Sequence, residues 1–228
     1  MNYVIPVPSV PAVAVDDSDD LFPVHRIFCV GRNYADHARE MGNDPDRDPP
    51  FFFTKPADAV VADGAEIPYP LATRNVHHEI ELVVALGSAA LGVAEAQALD
   101  CVYGYSVGID LTRRDLQKVA RDMGRPWDCG KGFDNSAPLA SITQASVVGH
   151  PESRAIWLSV NGEMRQEGNI DQMIWSVPEI IATLSNQFRL QPGDLIFTGT
   201  PAGVGPLVAG DTVAGGVDGV GELSVSIV

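Results

Sequence analysis

The chain has 228 residues, 45% of them apolar, with 22 glycines and 17 prolines, enough to bury one large core and typical of a compact protein rich in strands and turns. Its formal net charge of −15 leaves no basic surface to neutralise phosphates and so argues against nucleic acid as a partner. Cys29, Cys101 and Cys129 are odd in number and lack C-x-x-C spacing, which indicates reduced core thiols and neither a disulfide framework nor a zinc site. No run approaches the roughly 20 apolar residues of a membrane span, and Pro6, Pro8 and Pro11 interrupt the one candidate signal core, so the expectation is a soluble cytoplasmic protein.

Residues 1–24, with prolines and the acidic group Asp16, Asp17, Asp19 and Asp20, read as an extended arm, and 25–228 as one domain. His25–Gly31 is a buried-type strand, followed by Asn33 as N-cap of a helix from Tyr34 to Met41 that ends at Gly42. That helix carries His37 and Glu40, neighbours on one face at three-residue spacing. Such a pair is either a surface contact or an imidazole oriented by a carboxylate to act as a base. The polar, proline-rich loop Asn43–Pro50 beyond it suits a lid. Phe51–Pro56 is a core strand closing on Lys55, which is a solvated strand end or an anion contact, the former being the preferred reading.

Val76–Gly87 (VHHEIELVVALG) reads as one strand, rich in aliphatic and β-branched residues. Alternation places Glu79 and Glu81 on one face, their Cα atoms roughly 6.5 to 7 Å apart, with Val83 and Ala85 continuing that face. Carboxylates on a buried face must be paired, protonated or metal-bound, whereas a solvated strand end is the competing reading of E-x-E alone. A short helix near Val93–Leu99 precedes a second strong strand, Cys101–Leu111, with Asp110 near its end. Thr112 and Asp115 match a capping box opening a helix from about Arg113 to Met123. Lys131 is framed by glycines in an irregular stretch, where it points inward or lies in an exposed turn.

Ile156–Asn161 and Met164–Gln166 form a hairpin over Asn161-Gly162, and Ser176–Glu179 caps a scaffold helix with an apolar stripe from Val177 to Phe188. Gly199–Gly205 lacks the lysine of a phosphate loop and the third glycine of a dinucleotide fingerprint, so its amides and the Thr200 hydroxyl suit a carboxylate instead. Many short strands with three or four helices predict an α+β fold with a rolled mixed sheet.

Six landmarks in order, FCVGRNYADHAREM, HHEIEL, GYSVGIDLTRRDLQ, GKGF, VNGEMRQEG and FTGTPAGVG, together resemble the fumarylacetoacetate hydrolase family, in its short acylpyruvase branch. The fit of FPVHRIFCVGRNYADHAREMG and PPFFFTKPADAV is to members of that branch acting in gentisate degradation. The resemblance implies a barrel-like rolled sheet, a homodimer, and Mg²⁺ or Mn²⁺ held by Glu79, Glu81 and Asp110, an all-oxygen set suited to a hard cation. It also implies that His37 and Glu40 activate water and that Lys131 serves the bound substrate, with Arg114, Gln117 and Thr200 as substrate contacts. The reaction implied is hydrolysis of a carbon-carbon bond in a 2,4-diketo acid, fumarylpyruvate giving fumarate and pyruvate. Oxaloacetate decarboxylation and 2-keto acid tautomerisation are rivals on the same scaffold, and a non-catalytic metal-binding protein is the rival from another class.

Overall fold

The computed structural model of the protein describes residues 2–40 and 48–228. Its central sheet is eight-stranded, in the order Phe51–Lys55, Arg26–Gly31, Asp194–Phe197, Ile80–Leu86, Val102–Ile109, Ala137–Leu139, Val60–Ala62, with Thr143–Gln144 also paired to Val102–Ile109. Parallel and antiparallel neighbours mix within it: Asp194–Phe197 runs parallel to Arg26–Gly31 and antiparallel to Ile80–Leu86. A five-stranded sheet, Glu163–Asn169, Ala155–Val160, Thr212–Val217, Gly221–Ile227 and Glu66–Ile67, completes a curled half-barrel with a few short helices, the expected α+β class.

Every residue of Ile80–Leu86 is buried, because both faces of this strand are covered. Ile80, Leu82 and Val84 join the larger core with Ile156, Leu158 and Val225, while Val83 and Ala85 join a second cluster with Ile27, Leu195 and Phe197. The expected alternation therefore holds, and each fully buried aliphatic side chain contributes on the order of 1.5–3 kcal/mol. The single strand expected over Val76–Gly87 is instead two, Val76–His78 and Ile80–Leu86, broken at Glu79. Val76–His78 pairs with Thr112–Arg113 and Gly205–Leu207 in a separate three-stranded sheet, so the chain changes sheets at the carboxylate.

Residues 2–11 hold exposed apolar side chains such as Val4, Ile5 and Val7. From Ala12 the segment folds in: Ala12–Ala14 pairs with Leu21–Pro23, and Val13, Val15, Phe22 and Val24 bury in the second cluster. Cys29 and Cys101 are buried thiols, but Cys129 is exposed, contrary to the expectation for all three. The Asn161-Gly162 turn closes the hairpin with both residues at positive φ, 52° and 79°. The capping box at Ser176 forms as predicted, heading the helix Val177–Gln187. The short helix before the second strand is a 3₁₀ segment at Glu95–Cys101.

Candidate metal centre and active site

Ile80 and Ile109 face each other at the end of an antiparallel pair, and just beyond them the Asp110 amide donates to the Glu79 carbonyl at 2.8 Å. The strand ends thus deliver two carboxylates to one place, and Glu81 adds a third from the next position facing that way. One oxygen from each of Glu79, Glu81 and Asp110 lies within 4.8 Å of the others, and all three residues are buried.

Cations and amides surround them. Lys131 Nζ donates to Asp110 Oδ2 (2.5 Å), Glu79 Oε2 (2.8 Å) and Thr112 Oγ1 (2.7 Å), and the Gly199 amide donates to Glu81 Oε2 (2.6 Å). Arg114 pairs with Glu79 and donates to Gln117 Oε1 at 2.7 Å. Burial alone would raise the Glu79 pKa, but Lys131 and Arg114 hold it well below the usual carboxylate range. Glu81 goes the other way: burial, then the negative charges of Asp110 and Glu79, push its pKa well up.

Asp110 Oδ1 tests whether this cluster suits a cation. It is fully buried and accepts no hydrogen bond, although Lys55 Nζ stands 2.8 Å away in a poor direction for one. An oxygen that accepts no well-directed hydrogen bond, close to the Glu81 carboxyl that burial and like charge disfavour ionising, leaves donor capacity that a bound cation can use. Three hard oxygen donors with room in the adjoining cleft fit an ion such as Mg²⁺ or Mn²⁺.

The cleft is lined by the triad, His37, Arg114, Gln117, Lys131 and Thr200. All the residues singled out from the sequence except Glu40 lie on this one cavity. Glu40 sits behind His37, whose Nδ1 is 3.4 Å from Glu40 Oε2. Glu40 also accepts from the Gly203 amide at 3.1 Å, which anchors helix α1 (Ala35–Glu40) to the glycine-rich loop. Gly203 has φ +95°, and a Cβ there would stand 2.1 Å from the Arg165 carbonyl, so only glycine closes this contact without displacing the loop. Burial lowers the His37 pKa, against opposing pulls from Glu79 and Glu40.

The loop amides expected to hold a ligand carboxylate are taken in part by the protein's own, Gly199 by Glu81 and Gly203 by Glu40. Thr200 Oγ1 accepts from Gln166 Nε2 at 2.8 Å, which leaves its own proton to donate. Lys131 ends a short helix, α3 (Asp128–Lys131), pointing inward. Asn33 caps nothing: its amide donates to the Trp175 and Thr198 carbonyls and accepts from the Trp175 amide, and α1 begins at Ala35. The Thr112–Asp115 capping box is also absent. Asp115 accepts from Thr73, Arg74 and Leu116, while Thr112 serves Lys131 and the Asp110 carbonyl. Helix α2 accordingly runs Arg114–Asp122. The expected end of α1 at Met41–Gly42 and most of the expected lid Asn43–Pro50 lie outside the described residues.

Lys55 corrects the sequence reading most directly. It is 2% exposed and donates to the Leu111 carbonyl at 3.1 Å as well as to that of Lys131. Its signal was available, since a lysine that closes a run of three phenylalanines has its stem in the core whichever way its head points. Gln166 has no such signal. It ties the acidic segment to the loop by accepting from Ile80 N and contacting His78 Nδ1 while donating to Thr200 and the Pro201 carbonyl. Replacing Lys55 with Met is expected to destabilise the metal-free protein by about 3–5 kcal/mol, because Asp110 then stays buried without one of its two ammonium neighbours. Urea denaturation checks this; a change within about 0.5 kcal/mol, the level of surface substitutions, would contradict the buried-pair role.

The Fumarylacetoacetate (FAA) hydrolase C-terminal family matches residues 26–228, nearly the whole chain. The chain belongs to the fumarylacetoacetate hydrolase family. Among its relatives, a fumarylpyruvate hydrolase of Ralstonia sp. is 50% identical over 179 residues, 78% of this chain and 92% of that one. The mitochondrial oxaloacetate tautomerase of Homo sapiens is 42% identical over 88% of this chain and 90% of its own. The crystal structure of the fumarylpyruvate hydrolase from Pseudomonas aeruginosa in complex with Mn²⁺ and pyruvate superposes with a TM-score of 0.98 at 54% identity, covering 100% of this chain and 99% of that one. In this family member, then, the carboxylate triad, Lys131 and His37, with Glu40 behind it, converge on a single cleft.

Proposed function

We propose that the protein is a divalent-metal-dependent hydrolase of acylpyruvates, converting fumarylpyruvate and water to fumarate and pyruvate. The observation that carries this reading is one cleft holding both a buried carboxylate triad and a histidine kept neutral by burial and backed by a carboxylate. The high similarity to two fumarylpyruvate hydrolases, one crystallised with Mn²⁺ and pyruvate, supports the substrate.

In this reading Glu79, Glu81 and Asp110 hold Mg²⁺ or Mn²⁺, and the bound ion supplies Lewis acidity and a chelation point for the 2-keto acid end. His37, with Nδ1 held by Glu40, takes a proton from water, and the resulting hydroxide attacks the carbonyl next to the fumaryl group. The bond between that carbonyl and the methylene breaks, and its electron pair passes to the pyruvyl fragment as an enolate. Lys131 supplies positive charge beside this developing anion, and the proton on His37 returns to the methylene carbon, giving pyruvate. Arg114, Gln117 and the Thr200 proton position the pyruvyl carboxylate. We further assign a homodimer, for which the exposed apolar side chains of residues 3–10 offer contact surface, and a cytoplasmic location, in keeping with three free thiols. No helix among the described residues is long and apolar enough to cross a membrane.

Oxaloacetate tautomerisation is the second reading, favoured by the identity to the mitochondrial enzyme. Assaying Mn²⁺-loaded protein in parallel on fumarylpyruvate, acetylpyruvate and oxaloacetate separates the two. Hydrolysis of fumarylpyruvate at the highest kcat/KM is expected, whereas enol-keto exchange of oxaloacetate without acylpyruvate cleavage would replace the hydrolase reading by the tautomerase one.

The pH profile follows from the His37 environment. Because its pKa lies below the ordinary 6.5, the ring is unprotonated at neutral pH, and kcat/KM falls only as pH drops through that lowered value. Glu40 pulls the pKa upward, so Glu40→Gln should shift the acid limb to still lower pH while reducing the plateau rate. An acid limb centred above 6.5, or one unmoved in Glu40→Gln, would contradict this.

A further inference from the structure

Most of the cations at the cleft are already committed. Lys131 and Lys55 serve Asp110, and Arg114 is held between Glu79 and Gln117. Two further arginines line the same cavity, Arg32 and Arg121, and both are exposed, which places them at its mouth. Arg32 makes no ion pair or side-chain hydrogen bond among the described residues, and its φ is +60°. A left-handed backbone at a non-glycine residue carries strain of order 1 kcal/mol or more, and such positions concentrate where function needs the side chain. Arg121 has only a 3.5 Å contact from Nε to the carboxylate of its neighbour Asp122, which leaves its terminal nitrogens open.

The placement of Arg121 acts as a ruler. Arg114, Gln117 and Arg121 are spaced three and four residues apart, so they share one face of α2. Arg114 touches the Glu79 carboxylate at the cavity floor, and Arg121 stands seven residues further on, about 10 Å along the axis. That separation is comparable with the length of an extended fumarylpyruvate dianion. The cavity wall also includes the half-buried Phe53 and Trp127, flat surfaces suited to a conjugated enone. In a chain of net charge −15, a second carboxylate at the mouth of an acidic site needs local positive charge to enter at all.

We propose that Arg32 and Arg121 form a second carboxylate subsite, which receives the distal carboxylate of the substrate and selects dicarboxylic over monocarboxylic acylpyruvates. This rests on the acylpyruvase reading and goes beyond it by dividing the substrate between two ends of the cleft. Guanidinium-carboxylate contacts give the selectivity because they are charge-assisted and, at a cleft mouth, only partly screened.

The test compares fumarylpyruvate with acetylpyruvate, which lacks the distal carboxylate. Arg32→Gly keeps the left-handed backbone free of strain, and Arg121→Gln keeps the helix, so both variants should fold. For the double variant, kcat/KM on fumarylpyruvate is expected to fall about 10- to 100-fold, chiefly through KM, with acetylpyruvate changed less than about two-fold. Equal losses on both substrates, or an unchanged preference, would overturn the subsite. Calorimetric affinities of both compounds for the Mn²⁺-loaded wild type and double variant are measured alongside. If neither compound is hydrolysed by the wild type, the hydrolase reading fails by itself. The subsite still stands if the wild type binds fumarylpyruvate more tightly and the double variant does not, and it falls if the difference persists or never existed.

Discussion

Replacing Asp110 with Asn is expected to abolish turnover and weaken Mn²⁺ binding by more than about 100-fold, since even partners outside the coordination shell are worth 10- to 100-fold. Asp110 is wholly buried and contributes an oxygen to the triad, and its Oδ1 accepts no hydrogen bond. Asparagine keeps the shape but removes the charge, leaving Lys131 and Lys55 facing a neutral amide. Calorimetric titration with Mn²⁺ and rate assays at saturating metal check the two effects separately, with circular dichroism confirming the fold. Unchanged Mn²⁺ affinity would mean that the metal does not use Asp110, and the assignment of the triad as its site would be withdrawn.

His37→Ala is expected to leave Mn²⁺ affinity intact and to slow fumarylpyruvate hydrolysis by about 10² to 10⁴-fold, the usual range for loss of a general base. The loss should be selective. Hydrolysis needs hydroxide generated beside the distal carbonyl, whereas decarboxylation of oxaloacetate needs only stabilisation of a pyruvate enolate. A side activity on oxaloacetate should therefore decline far less in His37→Ala than in Asp110→Asn. The geometry behind this is a ring 6% exposed, lining the cavity, with Nδ1 turned back toward Glu40. Proportional losses on both substrates would show that His37 positions substrate in general, and its role as water-activating base would not survive.

Pieces whose cause is local or periodic were legible in the chain itself. Alternation along the strand put Glu81, Val83 and Ala85 on one face, and that face is buried. The three-residue spacing of His37 and Glu40 required them to meet on a helix, and they do so at 3.4 Å. The Ser176 cap and the Asn161-Gly162 turn are likewise written in adjacent residues. The metal set and the roles around it came instead through resemblance to a family, because no spacing in the chain brings Asp110 to Glu79.

Where those pieces meet depends on contacts between distant segments. Glu79 reaches the triad because the chain changes sheets there, a break that no glycine or proline within Val76–Leu86 marks. Lys55 looked like a strand end because its solvation depends on what packs over it. The Asp110 carboxylate and the Leu111 and Lys131 carbonyls, far away in sequence, bury its ammonium and satisfy it. Asn33 and Thr112 matched local capping patterns, yet longer-range partners won: the Trp175 and Thr198 backbone for one, Lys131 for the other. A polar side chain entering the interior must be paired wherever the fold supplies a partner, and an unpaired buried group costs more than a lost cap. Local sequence proposes such bonds, and the fold decides which ones are made.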